Sequence, residues 1–98
     1  MRKIIGIGET ILDIIFKNEQ PTAAVPGGST FNGIISLGRL GLPTTMITET
    51  GNDKIGRVIK DFMADNGVDN SHVCVYDNGR TAISLAYLNE RNDAEYLF

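Results

Sequence analysis

The sequence predicts an α/β fold: a parallel sheet with flanking helices and a small antiparallel flap beside it. Two amphipathic helix patterns, each set between short apolar strand patterns, predict the parallel part, because strand–helix–strand order carries the chain back in the same direction. Pairs of short strands joined by turn residues, with no helix between them, predict the flap. The 98 residues, 42% hydrophobic and 21% charged, have the composition of one small globular domain.

Ile4 to Glu9 opens the chain as a short apolar strand. Thr10 to Phe16 continues with Ile11, Leu12, Ile14, Ile15 and Phe16, and places one acid, Asp13, among them. Lys17-Asn18-Glu19-Gln20-Pro21 reads as a turn, and Thr22 to Val25 as a returning strand stopped by Pro26, Gly27 and Gly28. A helix follows, capped by Ser29 or Thr30, with Phe31, Ile34, Ile35 and Leu37 at helical spacing. Gly33 and Gly38 each cost it about 1 kcal/mol against alanine, which points to another backbone passing close. Gly41 and Pro43 end it.

Thr44 to Thr48 is rich in β-branched residues and reads as the next strand. Asn52 or Asp53 caps a second helix whose apolar stripe is Ile55, Val58, Ile59, Phe62 and Met63, and Gly67 after Asn66 stops it. Val73 to Tyr76 is a short strand, and Asp77-Asn78-Gly79-Arg80 carries the Asn-Gly signal of a tight hairpin. Thr81 to Leu88 has large residues on one face (Ile83, Leu85, Tyr87) and small ones on the other (Ala82, Ser84, Ala86). Asn89 to Asp93 is a polar turn, and Glu95 to Phe98 begins a further strand. An apolar strand at the chain end suggests a segment of something longer.

Composition excludes several functions. Nine Lys plus Arg stand against twelve Asp plus Glu, a net charge of −3, and no basic stripe is present to hold a phosphate backbone, so no nucleic acid is expected. The single Cys74 excludes an internal disulfide and a Cys-rich zinc site, and the single His72 excludes His-pair metal motifs. Both are expected to be structural. No apolar run approaches the roughly 18 residues of a membrane span, and no secretion signal is read in Met1–Glu9. A cytoplasmic protein without membrane contact is the expectation.

Three features carry candidate chemistry. A carboxylate inside Ile-Leu-Asp-Ile-Ile is costly unless hydrogen bonds reach it. Taken alone, Asp13 reads more simply as the solvent face of a half-buried strand. Gly27-Gly28 before a helix lets the backbone approach a ligand and leaves free N–H groups; a plain tight turn explains it as well. Asn32, on the first helical turn, can both donate to and accept from a hydroxyl, or be a surface asparagine. Gly6-Ile7-Gly8-Glu9 lacks the third glycine of a dinucleotide fingerprint, and no P-loop occurs.

Together the pieces resemble the PfkB (ribokinase-like) carbohydrate kinases. The run from Gly27 to Gly41 resembles their Gly-Gly-x-x-x-Asn signature ending in Leu-Gly. Gly8-Glu9-Thr10-Ile11-Leu12-Asp13 looks like their first strand with its sugar-binding aspartate. Gly51 to Arg57 is similar to their Gly-Asp-Asp-x-x-Gly segment, and Asn66-Gly67-Val68-Asp69 to the segment ending the next helix. Thr81 to Asn89 looks like a lid strand. The Gly-Glu start looks most like fructokinases and 2-keto-3-deoxygluconate kinases.

The resemblance implies a ribokinase-like sheet with a β lid formed by about 10–25 and 81–98. It implies that Asp13, Gly27, Gly28, Asn32 and Ser84 face a sugar or sugar acid, with Gly33 and Gly38 in close helix–sheet packing. It further implies MgATP as co-substrate, a monovalent cation, and a homodimer through the lid. Family members run to roughly three times this length. Their catalytic Asp-Thr-x-Gly-Ala-Gly-Asp-like motif, which supplies the anion hole and the base, has no match here. Residues 1–98 are thus expected to be the sugar-side portion of a kinase, inactive alone, with a non-catalytic sugar-binding or interaction module as the alternative.

Overall fold

The computed structural model describes residues 2–98. The elements are β1 (Ile4–Ile7), β2 (Ile11–Lys17), β3 (Gln20–Gly27), α1 (Ser29–Arg39), β4 (Thr44–Gly51), α2 (Lys54–Asp65), β5 (Val68–Asp69), β6 (Val73–Tyr76), β7 (Ile83–Leu88) and β8 (Ala94–Leu97). They form two four-stranded sheets. In the first, β4 pairs in parallel with β1, β5 and β6. The order β1-β4-β5 steps in one direction, and right-handed crossovers stepping one way place α1 and α2 on the same face. That face holds the core: Met46 under Phe31, Ile34 and Ile35 of α1, and Ile59 and Met63 of α2, with Val68 at the edge.

Among the described residues, the opposite face of this sheet carries no helix. Ile5, Ile7 and Ile47 lie there, 55%, 71% and 40% exposed. No helix of the described residues is long and apolar enough to cross a membrane.

The second sheet, ordered β3-β2-β7-β8, is the flap expected from sequence. Its outer pairs are antiparallel, but its central pair, β2 with β7, is parallel. Both strands leave the first sheet at the same end, so they run alongside rather than against each other. The tight hairpin expected at Asp77–Arg80 is therefore absent. β6 is taken by β4 of the first sheet, and the Asn-Gly segment carries the chain across to the second.

Smaller differences have equally local causes. The first turn closes on two residues, Asn18 and Glu19, with φ of 53° and 63°, as a tight hairpin with the right-handed twist of its strands requires. Pro21, expected in the turn, and Pro26, expected as a stop, are both members of β3, which an edge strand tolerates because one side of its ladder goes unused. The N-cap of α1 is Gly28, with no side-chain hydrogen bond, so Ser29 already lies inside the helix. At its other end, Gly41 N–H donates to Gly38 O and Leu42 N–H to Leu37 O, a Schellman closure. Asp53 caps α2. In that helix Val58 leaves the expected stripe and is 45% exposed.

The two glycines inside α1 differ. A Cβ on Gly38 would lie 2.6 Å from Asn66 O and 2.7 Å from Val68 Cγ2, so α1 rests directly on the chain entering β5. Gly33 faces open space, which corrects the close packing expected there. Gly38→Ala is expected to destabilise the protein by about 1–3 kcal/mol through overpacking. Gly33→Ala should stabilise it by about 0.5–1 kcal/mol through helix propensity alone. Urea unfolding of both variants checks this contrast, and equal effects would contradict it.

Candidate functional site

Asp13 sits in the middle of β2, opposite Val25 of β3 and Ser84 of β7. Parallel register alone places Ser84 beside it, and the Ser84 hydroxyl donates to Asp13 Oδ1. Ser84 is fully buried, so the half-buried carboxylate is held by a hydroxyl that solvent does not reach. The second oxygen, Oδ2, lies over Gly27: a Cβ there would be 2.5 Å from it. A side chain at position 27 would occupy the space of the carboxylate. Ala86, also buried, continues the small face of β7. The small side chains of this strand are its covered side, and Ile83, at 40% exposure, belongs to the open one.

Gly28 follows at φ 133°, and a Cβ there would run into the Glu9 carbonyl. Only glycine adopts this backbone without strain, and it turns β3 straight into α1. Because no side chain caps α1, its first N–H groups remain open to a ligand. Asn32 lies one turn along. Its N–H donates to Gly28 O at 2.9 Å and its carbonyl accepts the Ser36 hydroxyl at 3.1 Å. Its side chain is exposed and engaged by no hydrogen bond among the described residues. The structure thus brings Asp13, Ser84 and Gly27 into contact and sets Gly28 next to them. It leaves Asn32 on the same helix start without a contact to the carboxylate.

Two cavities adjoin this corner. One of about 280 Å³ is lined by Gly8, Glu9, Ile11, Gly28, Ser29 and Thr30 at the start of α1. The other, about 580 Å³, lies between the strand ends of the first sheet and the base of the second, with Glu9, Thr10, Thr48, Glu49, Cys74 and Tyr76 among its lining. Neither is lined by lysine or arginine. Glu9, which the sequence argument did not single out, lines both.

A second carboxylate escaped the sequence argument in part. Asp53 was legible as the α2 cap, and its Oδ1 accepts from Gly56 N–H at 2.7 Å. It also binds the chain where it enters the second sheet: Thr81 N–H donates to Oδ2 at 2.8 Å and the Thr81 hydroxyl to Oδ1 at 2.7 Å. The Thr81 N–H foremost, then Gly56 N–H and the Thr81 hydroxyl, hold the Asp53 carboxyl below its ordinary value of 3.8. Asp69 is lowered in the same way, chiefly by the Ser71 N–H.

The pfkB family carbohydrate kinase model matches residues 1–98. The chain belongs to this family. Fructokinase-1 of Zea mays is 31% identical over 97% of the chain. The fructokinase structure from Halothermothrix orenii superposes with a TM-score of 0.87 over 98% of the chain, at 22% identity. An ATP-bound fructokinase structure from Xylella fastidiosa gives 0.80 over 98%, also at 22% identity. The chain spans about a third of each relative: 32% of the maize enzyme, 37% and 32% of the two solved chains. The match of this pfkB chain runs along its whole length, through both sheets and both helices.

Because Asp53 titrates lower in the folded protein than in the unfolded chain, its contribution to stability is complete above pH 3.8 and is lost as pH falls through the lowered value. Asp53→Asn cannot titrate. It should lose less stability than the parent when urea unfolding is compared at about pH 5 and pH 3. Parallel losses in the two proteins would contradict the assignment.

Proposed function

We propose that the polypeptide carrying this chain is an ATP-dependent carbohydrate kinase and that residues 1–98 supply its sugar side. The observation that carries this reading is the Asp13 carboxylate, held at one oxygen by buried Ser84 and given room at the other by Gly27. A fixed carboxylate with a free oxygen suits a sugar hydroxyl, because a charge-assisted hydrogen bond of that kind is about twice as strong as a neutral one. Gly28 offers backbone, and the exposed Asn32 amide offers both a donor and an acceptor. The charged groups at this corner are carboxylates, Asp13, Glu9 and Glu49, which favours a neutral sugar over a sugar acid.

In this reading the chain binds and orients the sugar, and positioning accounts for much of phosphoryl-transfer catalysis. MgATP is the co-substrate. The anion hole and base belong to a motif this sequence does not contain, so the 98 residues alone should turn over no ATP. The described residues hold no cluster of three or more metal-ligating side chains, and no step is assigned to a monovalent cation. Pairing of two copies through the second sheet belongs to the same reading, since Tyr96 and Leu97 on its β8 edge are each 55% exposed.

In the complete polypeptide, Asp13→Ala is expected to weaken sugar binding by about 1.5–3 kcal/mol and to leave ATP binding unchanged. Calorimetry with each ligand reads both, and equal sugar affinity in variant and parent would return Asp13 to a strand-face role. Asn32→Leu should raise KM for the sugar with little change in Tm, since the side chain is exposed. A large fall in Tm at unchanged KM would make Asn32 a structural residue.

A further inference from the structure

A helix cap needs one carboxylate oxygen. Asp53 uses that one on Gly56 N–H and directs the other at a residue 28 positions away, Thr81. Thr81 is buried and closes the link from its own side: its hydroxyl donates to Asp53 Oδ1 and accepts from Gly51 N–H at 3.0 Å. The connection from β6 is tied as well, by Asn52 Nδ2 to Asp77 at 3.0 Å and by the Tyr76 hydroxyl to Arg80 O at 2.9 Å. From Thr81 the ladder runs directly to the candidate site. Ala82 O accepts from Leu12 N–H at 3.1 Å, Ile83 pairs with Leu12, and Ser84 pairs with Asp13.

We propose that Asp53 is a positioning residue for the hydroxyl-binding site, acting through Thr81 to fix Ser84 beside Asp13; the functional part of this rests on the sugar-kinase reading above. The first residues of β7 have one covalent approach, through the Asp77–Arg80 segment. Without the Asp53 link, the start of β7 keeps its ladder to β2, the Gly51 N–H bond to the Thr81 hydroxyl and the Tyr76 tie to Arg80 O, but the Thr81 N–H and the N-terminus of α2 are no longer joined. With it, the N-terminus of α2, the end of β4 and the entry to β7 form one joint, and the Ser84 hydroxyl is presented to Asp13 from a fixed frame. Three donors converge on the Asp53 carboxylate, which is why it titrates below its ordinary value.

Asparagine separates the two roles. It caps a helix as well as aspartate does, but it has a single oxygen. With that oxygen on Gly56 N–H, its NH2 group meets Thr81 N–H donor to donor. In the complete polypeptide, Asp53→Asn is expected to raise KM for the neutral sugar about tenfold, with KM for ATP near the parent's and a modest fall in Tm from the lost Thr81 bond. Hydrogen exchange of the Ala82–Ala86 amides should quicken. Thr81→Val should reproduce these effects, and Thr81→Ser, which keeps the hydroxyl, should restore the parent's sugar KM. Unchanged sugar KM and unchanged exchange in Asp53→Asn, with only Tm altered, would overturn the proposal and leave Asp53 a cap. If the parent shows no sugar-dependent turnover, the kinase reading fails on its own. The exchange comparison then decides the structural link: faster exchange in β7 sustains it, and equal exchange overturns it.

Discussion

The parallel pairing of β2 with β7 aligns Asp13 with Ser84 across 71 residues of sequence, and most of what is distinctive in this molecule follows from it. It joins the β2–β3 hairpin to the β7–β8 hairpin, making one sheet of two units that would be marginal alone. It sets buried Ser84 directly beside the carboxylate. It also requires the chain to leave the first sheet twice at the same end, after β1 and after β6. The glycine pair, the start of α1 and the entry to β7 therefore gather at one corner.

The two sheets are stabilised differently. The first rests on an apolar core of seven buried residues shared by α1, α2, β4 and β5. The second has few buried apolar side chains, Leu12 and Ala86 among them, and relies on ladder hydrogen bonds, the Phe16–Tyr87 stack at 4.8 Å and its ties at the base. The Asp53–Thr81 contact lies at that base. It fixes the point from which β7 starts without adding bulk to the cleft.

What could be read from sequence was what depends on neighbours in the chain. The apolar periods located both helices and the strands, because a face that must be buried leaves a 3.6- or 2-residue pattern. Asp53 before α2 and Gly41 after α1 announced their caps. The unread features depend on distant partners. Nothing near Asp77-Asn78-Gly79 distinguishes a hairpin from a crossing between sheets, since the choice is made by β4 claiming β6. The two-residue β5 is too short to leave a pattern. Asp13 and Gly27 were legible as candidates, but that one makes room for the other became visible only once β2 and β3 were in register. The second half of Asp53's role, at Thr81, had no sequence signal of its own.

The central claim is that the Asp13 carboxylate, framed by Ser84 and Gly27, receives a sugar hydroxyl. A crystal structure of the complete polypeptide soaked with a neutral hexose such as fructose tests it most directly. The account predicts a hydroxyl within about 2.5–3.0 Å of Asp13 Oδ2, with Ser84 still donating to Oδ1 and the β2–β7 register unchanged. A sugar bound elsewhere, with Asp13 facing only solvent or protein, would contradict it.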